Sequence, residues 1–142
     1  MLRKHLTLFI LFITTTLLAQ AQSKQDQASV LAPVKQQLAA YNNRDIDAFA
    51  AAYSDTVKVY RQPGVLSYQG REELRKRYGE MFANTPGLHC EVVNRIVAGN
   101  VVIDHEKVRR SKGQPRFDAI AVYRVQNNEI VEVTFISPDK TK

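Results

Sequence analysis

Between Tyr41 and Tyr78 the spacing of apolar residues changes, and helices and strands have to follow one another within a single short segment. Phe49, Ala52 and Tyr53 keep a helical period, Val57 and Val59 a period of two, and Gly70 interrupts the chain before the charged helix opening Arg71-Glu72-Glu73. The stretch reads as a helix end, a short helix, a strand, a loop and a new helix start.

The flanks extend the pattern. Upstream, Val30, Leu31, Val34, Leu38 and Tyr41 recur at helical spacing, with Pro33 placed in a first turn and Asn42-Asn43 as a stop. Asp45 is suited to cap the next helix, which carries Phe49 and Tyr53 inward and ends by Ser54-Asp55. Thr56 to Tyr60 reads as a strand, followed by a proline-glycine loop, and Arg71 to about Asn84 as a helix with Leu74, Tyr78, Met81 and Phe82 on one face. Downstream, Leu88–Ala98, Val101–Arg109, Arg116–Val125 and Glu129–Ile136 read as consecutive strands. Their turns are Gly99-Asn100, Lys112-Gly113-Gln114 and Asn127-Asn128. Three helices followed by antiparallel strands argue for an α+β fold with the helices on one face of a curved sheet.

The first residues have another character. Arg3, Lys4 and His5 precede an apolar run from Leu6 to Leu18 and then Ala19-Gln20-Ala21, the small-x-small form of a signal-peptidase site. The run falls short of the roughly 20 residues needed to span a bilayer, so residues 1–21 read as a signal peptide rather than an anchor. The expected mature chain starts at Gln22, with residues 22–28 as a flexible lead and 29–142 as a single domain, secreted or periplasmic. After cleavage, 18 basic and 14 acidic residues remain, and the basic ones are scattered. The one-sided basic stripe with interleaved aromatics that nucleic-acid binding needs is absent, and nothing in the mature chain points to a membrane. The lone cysteine, Cys90, reads as a small buried residue.

Two local signatures, Tyr-Asn-x-Arg-Asp-Ile-Asp-Ala-Phe at 41–49 and Gly-Arg-Glu-Glu-Leu at 70–74, resemble the SnoaL-like and ketosteroid-isomerase-like branch of the NTF2-like superfamily. The resemblance covers about Val30 to Phe135. It implies a cone of three N-terminal helices on a curved, mostly antiparallel sheet, with a ligand pocket inside and a homodimer as a compatible assembly. Ketosteroid isomerase works with a carboxylate base and an oxyanion hole of tyrosine and protonated aspartate. A gap-free alignment puts Arg61 at the base, Gln37 at the oxyanion tyrosine and Ala121 at the oxyanion aspartate, while Tyr53 and Tyr78 match two supporting tyrosines. SnoaL-type cyclases also use an aspartate where Ala121 stands. The resemblance thus implies a container without that family's catalytic groups.

Side-chain alternation suggests what faces the interior. The odd residues are the less charged set in the last two strands: Phe117, Ala119, Ala121 and Tyr123, then Val131, Val133 and Phe135. A two-residue turn at Gly99-Asn100 sets Ile96 opposite Ile103, Asn94 opposite His105 and Arg95 opposite Asp104. With the charged pair taken as outward, Asn94 and His105 face in; the alternative turns Asp104 and Glu106 inward. His105 is the acid/base candidate on its ordinary pKa of about 6.5, with Arg61 and Tyr41 to polarise an oxygen. Gln37, Tyr53, Tyr78, Asn94, Ala121, Tyr123 and Phe135 are the expected ligand contacts. Asp104-His105-Glu106 does not make a metal site, because neighbours on a strand point to opposite faces, and no cofactor is implied. The expected function is a small-molecule pocket enzyme of isomerase, lyase or hydrolase type on a lipophilic or carbonyl substrate. The alternative is a non-catalytic binding protein for an apolar or amphipathic ligand.

Overall fold

The computed structural model describes residues 25–138; the expected signal peptide lies outside the described residues. Helix α1 occupies residues 25–43, so residues 25–28, expected within a flexible lead, are already helical. Pro33 consequently sits inside α1 rather than in its first turn, and it leaves the Ser29 carbonyl without its helical donor. Among the described residues no helix is long and apolar enough to cross a membrane.

Asp45 caps α2 (Ile46–Ala50) as the sequence suggests: its carboxylate accepts from the Asp47 and Ala48 amides at 3.1 and 3.0 Å. The helix is shorter than expected, and Tyr53 opens strand β1 (Tyr53–Arg61) instead of closing α2. Gly64, at φ +90°, turns the chain into β2 (Val65–Gln69), which the sequence reading left as loop. β2 is an edge strand with Val65 and Leu66 exposed, so it lacks the half-buried alternation that marks a strand. Helix α3 (Arg71–Asn84) then crosses to the far edge, where β3 (His89–Ala98), β4 (Val101–Arg109), β5 (Phe117–Gln126) and β6 (Glu129–Ile136) form a meander. The sheet order is β2-β1-β6-β5-β4-β3, antiparallel throughout except for β1 beside β6.

Three devices hold the helices on this sheet. Phe49 lies at the centre of an aromatic cluster, 4.4 Å from the Tyr78 ring, 5.1 Å from Tyr53 and 5.5 Å from Phe82, and so joins α2, α3 and β1; Tyr41 adds α1. Arg71, from the Gly-Arg-Glu-Glu-Leu signature, donates to the Tyr53 carbonyl at 2.7 Å and pairs with Asp55 and Glu129, both at 2.8 Å. It fills the interruption in the β1–β6 ladder between Tyr53 and Lys58. Asn42 acts as one more strand residue at the edge of β3: its amide donates to the Cys90 carbonyl at 2.9 Å and accepts from the Cys90 amide at 2.8 Å.

Replacing Asn42 by Ala leaves both groups of the Cys90 peptide unpaired. Unfolding is expected to be easier by about 1–3 kcal/mol, read as a lower urea midpoint at unchanged slope. An unchanged midpoint would show that α1 is held on β3 by other contacts.

Candidate functional site

The strand pairings fix which side chains enter the space between helices and sheet. β3 and β4 pair as the Gly99-Asn100 turn requires, with Ile96 opposite Ile103, Arg95 opposite Asp104 and Asn94 opposite His105. The face is the reverse of the expected one. Ile96 is 54% exposed, whereas Asp104 and Glu106 are 0% and 6% exposed. His105 lies on the outer face, where its Nε2 is 2.6 Å from the Asp118 carboxylate, and Asn94 is exposed beside it. Neither reaches the interior, so the acid/base role expected for His105 and the ligand contact expected for Asn94 are corrected.

The physical reason lies in two places. Val101-Val102-Ile103 is apolar on both faces, so alternation along β4 does not choose between them. In β3, Val93 is an extra residue: Val92 opposes Glu106 and Asn94 opposes His105, so the inward set passes from even to odd across the bulge. Cys90, Val92 and Arg95 thereby all point inward. A further irregularity at Val131 leaves Ile130 and Val133 buried and Val131 only half-buried, against the odd set expected there.

Helices and sheet enclose a cavity of about 630 Å³. Gln37 and Tyr41 of α1, Tyr53 of β1, Tyr78 of α3, Tyr123 of β5 and Phe135 of β6 line it, so these expected contacts do converge. Arg61 lies at its exposed mouth. Ala121 is fully buried between Asp104 and Phe135 in the sheet and is not part of the wall. Glu106, Cys90 and, toward the mouth, Gln62, Arg110 and Ser137 add to the polar lining.

The polar groups form one directed chain. Tyr53 O–H donates to Gln37 Oε1 at 3.3 Å, Gln37 Nε2 donates to the Tyr123 hydroxyl at 3.1 Å, and Tyr123 O–H donates to Glu106 Oε1 at 3.0 Å. The Cys90 thiol makes a further hydrogen bond to Glu106. Burial pushes the Glu106 carboxyl up to about 7; the neighbouring Asp104 adds to this, while the Tyr123 and Cys90 hydrogen bonds and Arg95 hold it back. Asp104 has the better partner, a two-pronged pair with Arg95 at 2.6 and 2.7 Å. Burial raises the phenols of Tyr53, Tyr78 and Tyr123, and likewise that of Tyr41, so all four remain O–H donors. The thiol of Cys90 is raised as well, first by burial and then by Glu106, which makes it a weak nucleophile. Among the described residues no three His, Cys, Asp or Glu side chains are grouped to hold a metal ion.

Sequence reading missed Glu106 because it ranked the inward acids second. The decisive signal was the next hairpin: Glu106 opposes Ala119 and Asp104 opposes Ala121, both on the set of β5 already read as inward. Residues opposite each other across a ladder share a face.

No curated protein matches the chain in sequence. Solved structures resemble its fold. An uncharacterized cystatin-fold protein from Novosphingobium aromaticivorans is 29% identical, with 75% of this chain and 97% of that one covered and a TM-score of 0.68. A candidate ketosteroid isomerase from Kribbella flavida is 18% identical over 82% and 83% of the two chains, at a TM-score of 0.69. An epoxide hydrolase from M. tuberculosis of the LEH-like type is 16% identical over 79% and 84%, at 0.66. A sequence model of the SnoaL-like domain matches residues 34–133, from the buried face of α1 into the middle of the wall strand β6, and the chain belongs to that SnoaL-like family, with an NTF2-like α+β fold.

Proposed function

We propose that the protein is an enzyme that moves a proton on a small lipophilic substrate bearing a carbonyl or a related oxygen, with Glu106 as the acid/base group. The observation that carries this reading is the placement of Glu106: a carboxyl on the wall of a cavity that also holds the rings of Tyr41, Tyr53, Tyr78, Tyr123 and Phe135, raised by burial to about 7. A general base is most effective when its pKa lies near the working pH. When Glu106 is ionised, Tyr123 O–H and Cys90 S–H steady the anion; once it has taken a proton, the apolar surroundings favour the neutral acid. Tyr41 supplies the complementary donor. Its phenol lines the cavity, stays protonated, and makes no side-chain hydrogen bond among the described residues, so it is available to a substrate oxygen. The candidate isomerase and the epoxide hydrolase of like fold make acid/base chemistry in such a cone a consistent reading.

A second reading has its own observation. In the chain from Tyr53 through Gln37 and Tyr123 to Glu106 each donor already has its acceptor within the protein, which is also how a stable wall of a non-catalytic binding cavity is made. Glu106→Gln separates the two. In deuterium oxide the wild type is expected to speed exchange of the α-protons of small enolisable ketones such as 2-tetralone, followed by proton NMR. The Gln variant is expected to lose about 100- to 10,000-fold of that rate. Ketone binding without exchange, or equal exchange by both proteins, would give the cavity to the non-catalytic alternative.

Stability carries a second signature of the same carboxyl. An unfolded Glu titrates near 4.5 and the folded Glu106 near 7, so between these values the folded state holds more protons than the unfolded one. Stability therefore falls as pH rises through that window and levels off above it. The separation corresponds to about 3 kcal/mol. Glu106→Gln is expected to match the wild type below pH 4.5 and to be more stable above pH 7, measured by denaturant titration at each pH. A stability difference independent of pH would show that Glu106 is ionised without cost in the fold.

A further inference from the structure

The cavity has two chemically different ends. Its deep wall carries Glu106 and the tyrosine chain; its mouth carries Arg61, the last residue of β1, and Arg110, just beyond β4. Six of the ten arginines among the described residues, Arg71, Arg75, Arg77, Arg95, Arg116 and Arg124, each meet a carboxylate, and of the other four Arg44 and Arg109 do not line the cavity, Arg109 donating instead to the Gly87 carbonyl. Arg61 and Arg110 meet none among the described residues, although both border the same opening. Arg110 is instead held over the ring of Phe117, 5.3 Å from its centre, and Phe117 is itself a partly exposed part of the rim. Stacking on a ring leaves the edge of a guanidinium and its N–H groups turned away from the ring and open to an acceptor.

We propose that Arg61 and Arg110 form an oxyanion subsite, so that the substrate is an amphipathic anion whose carboxylate or phosphate head rests at the mouth while its apolar body reaches Glu106. Two unpaired guanidinium groups at one opening suit a head with several acceptor oxygens. The aromatic walls suit a rigid apolar body, and a cavity of about 630 Å³ has room for one. Such a division also gives orientation: the head stays with the exposed cations, and the end that reacts is the one remote from the charge. The inference rests on the reading of this cavity as the substrate site and adds the substrate's charge.

The experiment uses three probes with one body, 2-naphthoate, 2-naphthyl phosphate and neutral 2-naphthamide, titrated into the wild type, Arg61→Gln, Arg110→Gln and the double variant and followed by naphthalene fluorescence. At least one of the two anions is expected to bind more tightly than the amide, and whichever is tighter identifies the head group. Each single variant is expected to weaken that anion about fivefold, leave the amide unchanged, and reduce the loss of affinity on adding salt. Both arginines are exposed, and unchanged melting temperatures establish that the variants are folded. Equal binding of amide and anions, an anion preference that survives in the double variant, or binding of none of the three overturns the subsite. Because these are binding measurements, a failure of Glu106→Gln to affect exchange leaves the subsite standing. Absence of any anion preference in the wild type, with Glu106-dependent exchange intact, removes the subsite alone.

Discussion

Two carboxylates on the inward face of one strand, β4, set the terms for the rest of this molecule. Asp104 and Glu106 are both removed from water on β4, and a buried charge without a partner is among the most costly features a fold can contain. The two are answered differently. Asp104 receives a guanidinium, because the two-residue turn at Gly99-Asn100 sets Arg95 opposite it; the bulge at Val93, further along β3, instead puts Val92 opposite Glu106 and turns Cys90 inward. Glu106 receives only a phenol and a thiol, and remains poised between its charged and neutral forms. Turn and bulge together thus divide one acidic pair into a fixed ion pair and a titratable group.

The surrounding framework maintains that division. Phe49 and its ring neighbours set α1, α2 and α3 against β1, and the same cluster contributes Tyr41, Tyr53 and Tyr78 to the cavity wall. Asn42 ties α1 to Cys90, and five residues earlier on that helix Gln37 reaches the Tyr123 hydroxyl that touches Glu106. Helix position, cavity wall and acid environment are therefore coupled through a few contacts. In such a framework the hydroxyls are oriented before any ligand arrives, and preorganised donors of this kind act without a reorganisation cost.

Much of this was legible in the residues, and the failures are instructive. The helix Arg71–Asn84, the last four strands and the pairing of Arg95 with Asp104 follow from period, turns and charge. What charge complementarity specifies, however, is the pairing and not the side of the sheet on which the pair lies. An Arg–Asp pair across two strands reads as a solvated surface feature, and here it is the buried one. His105, with the most convenient ordinary pKa, lies outside beside Asp118, while the group with a useful pKa is a glutamate that acquires it from burial. Sequence alone shows the identity of an ionisable group, but desolvation is a property of the assembled wall. β2 escaped for a related reason: exposed on its edge, it carries no apolar alternation to read.

The central claim is that Glu106 changes charge near neutrality inside the cavity, and its direct measure is the titration of that one carboxyl. With the protein labelled at the glutamate side-chain carboxyl carbons, 13C NMR spectra of wild type and Glu106→Gln identify the Glu106 resonance by its absence from the variant. The account predicts that this resonance titrates near pH 7, apart from the other glutamates. A midpoint in the ordinary range near 4 to 5 would contradict it, because it would mean that water or an unrecognised partner stabilises the anion and that the cavity holds a permanent charge instead of a proton-transfer group.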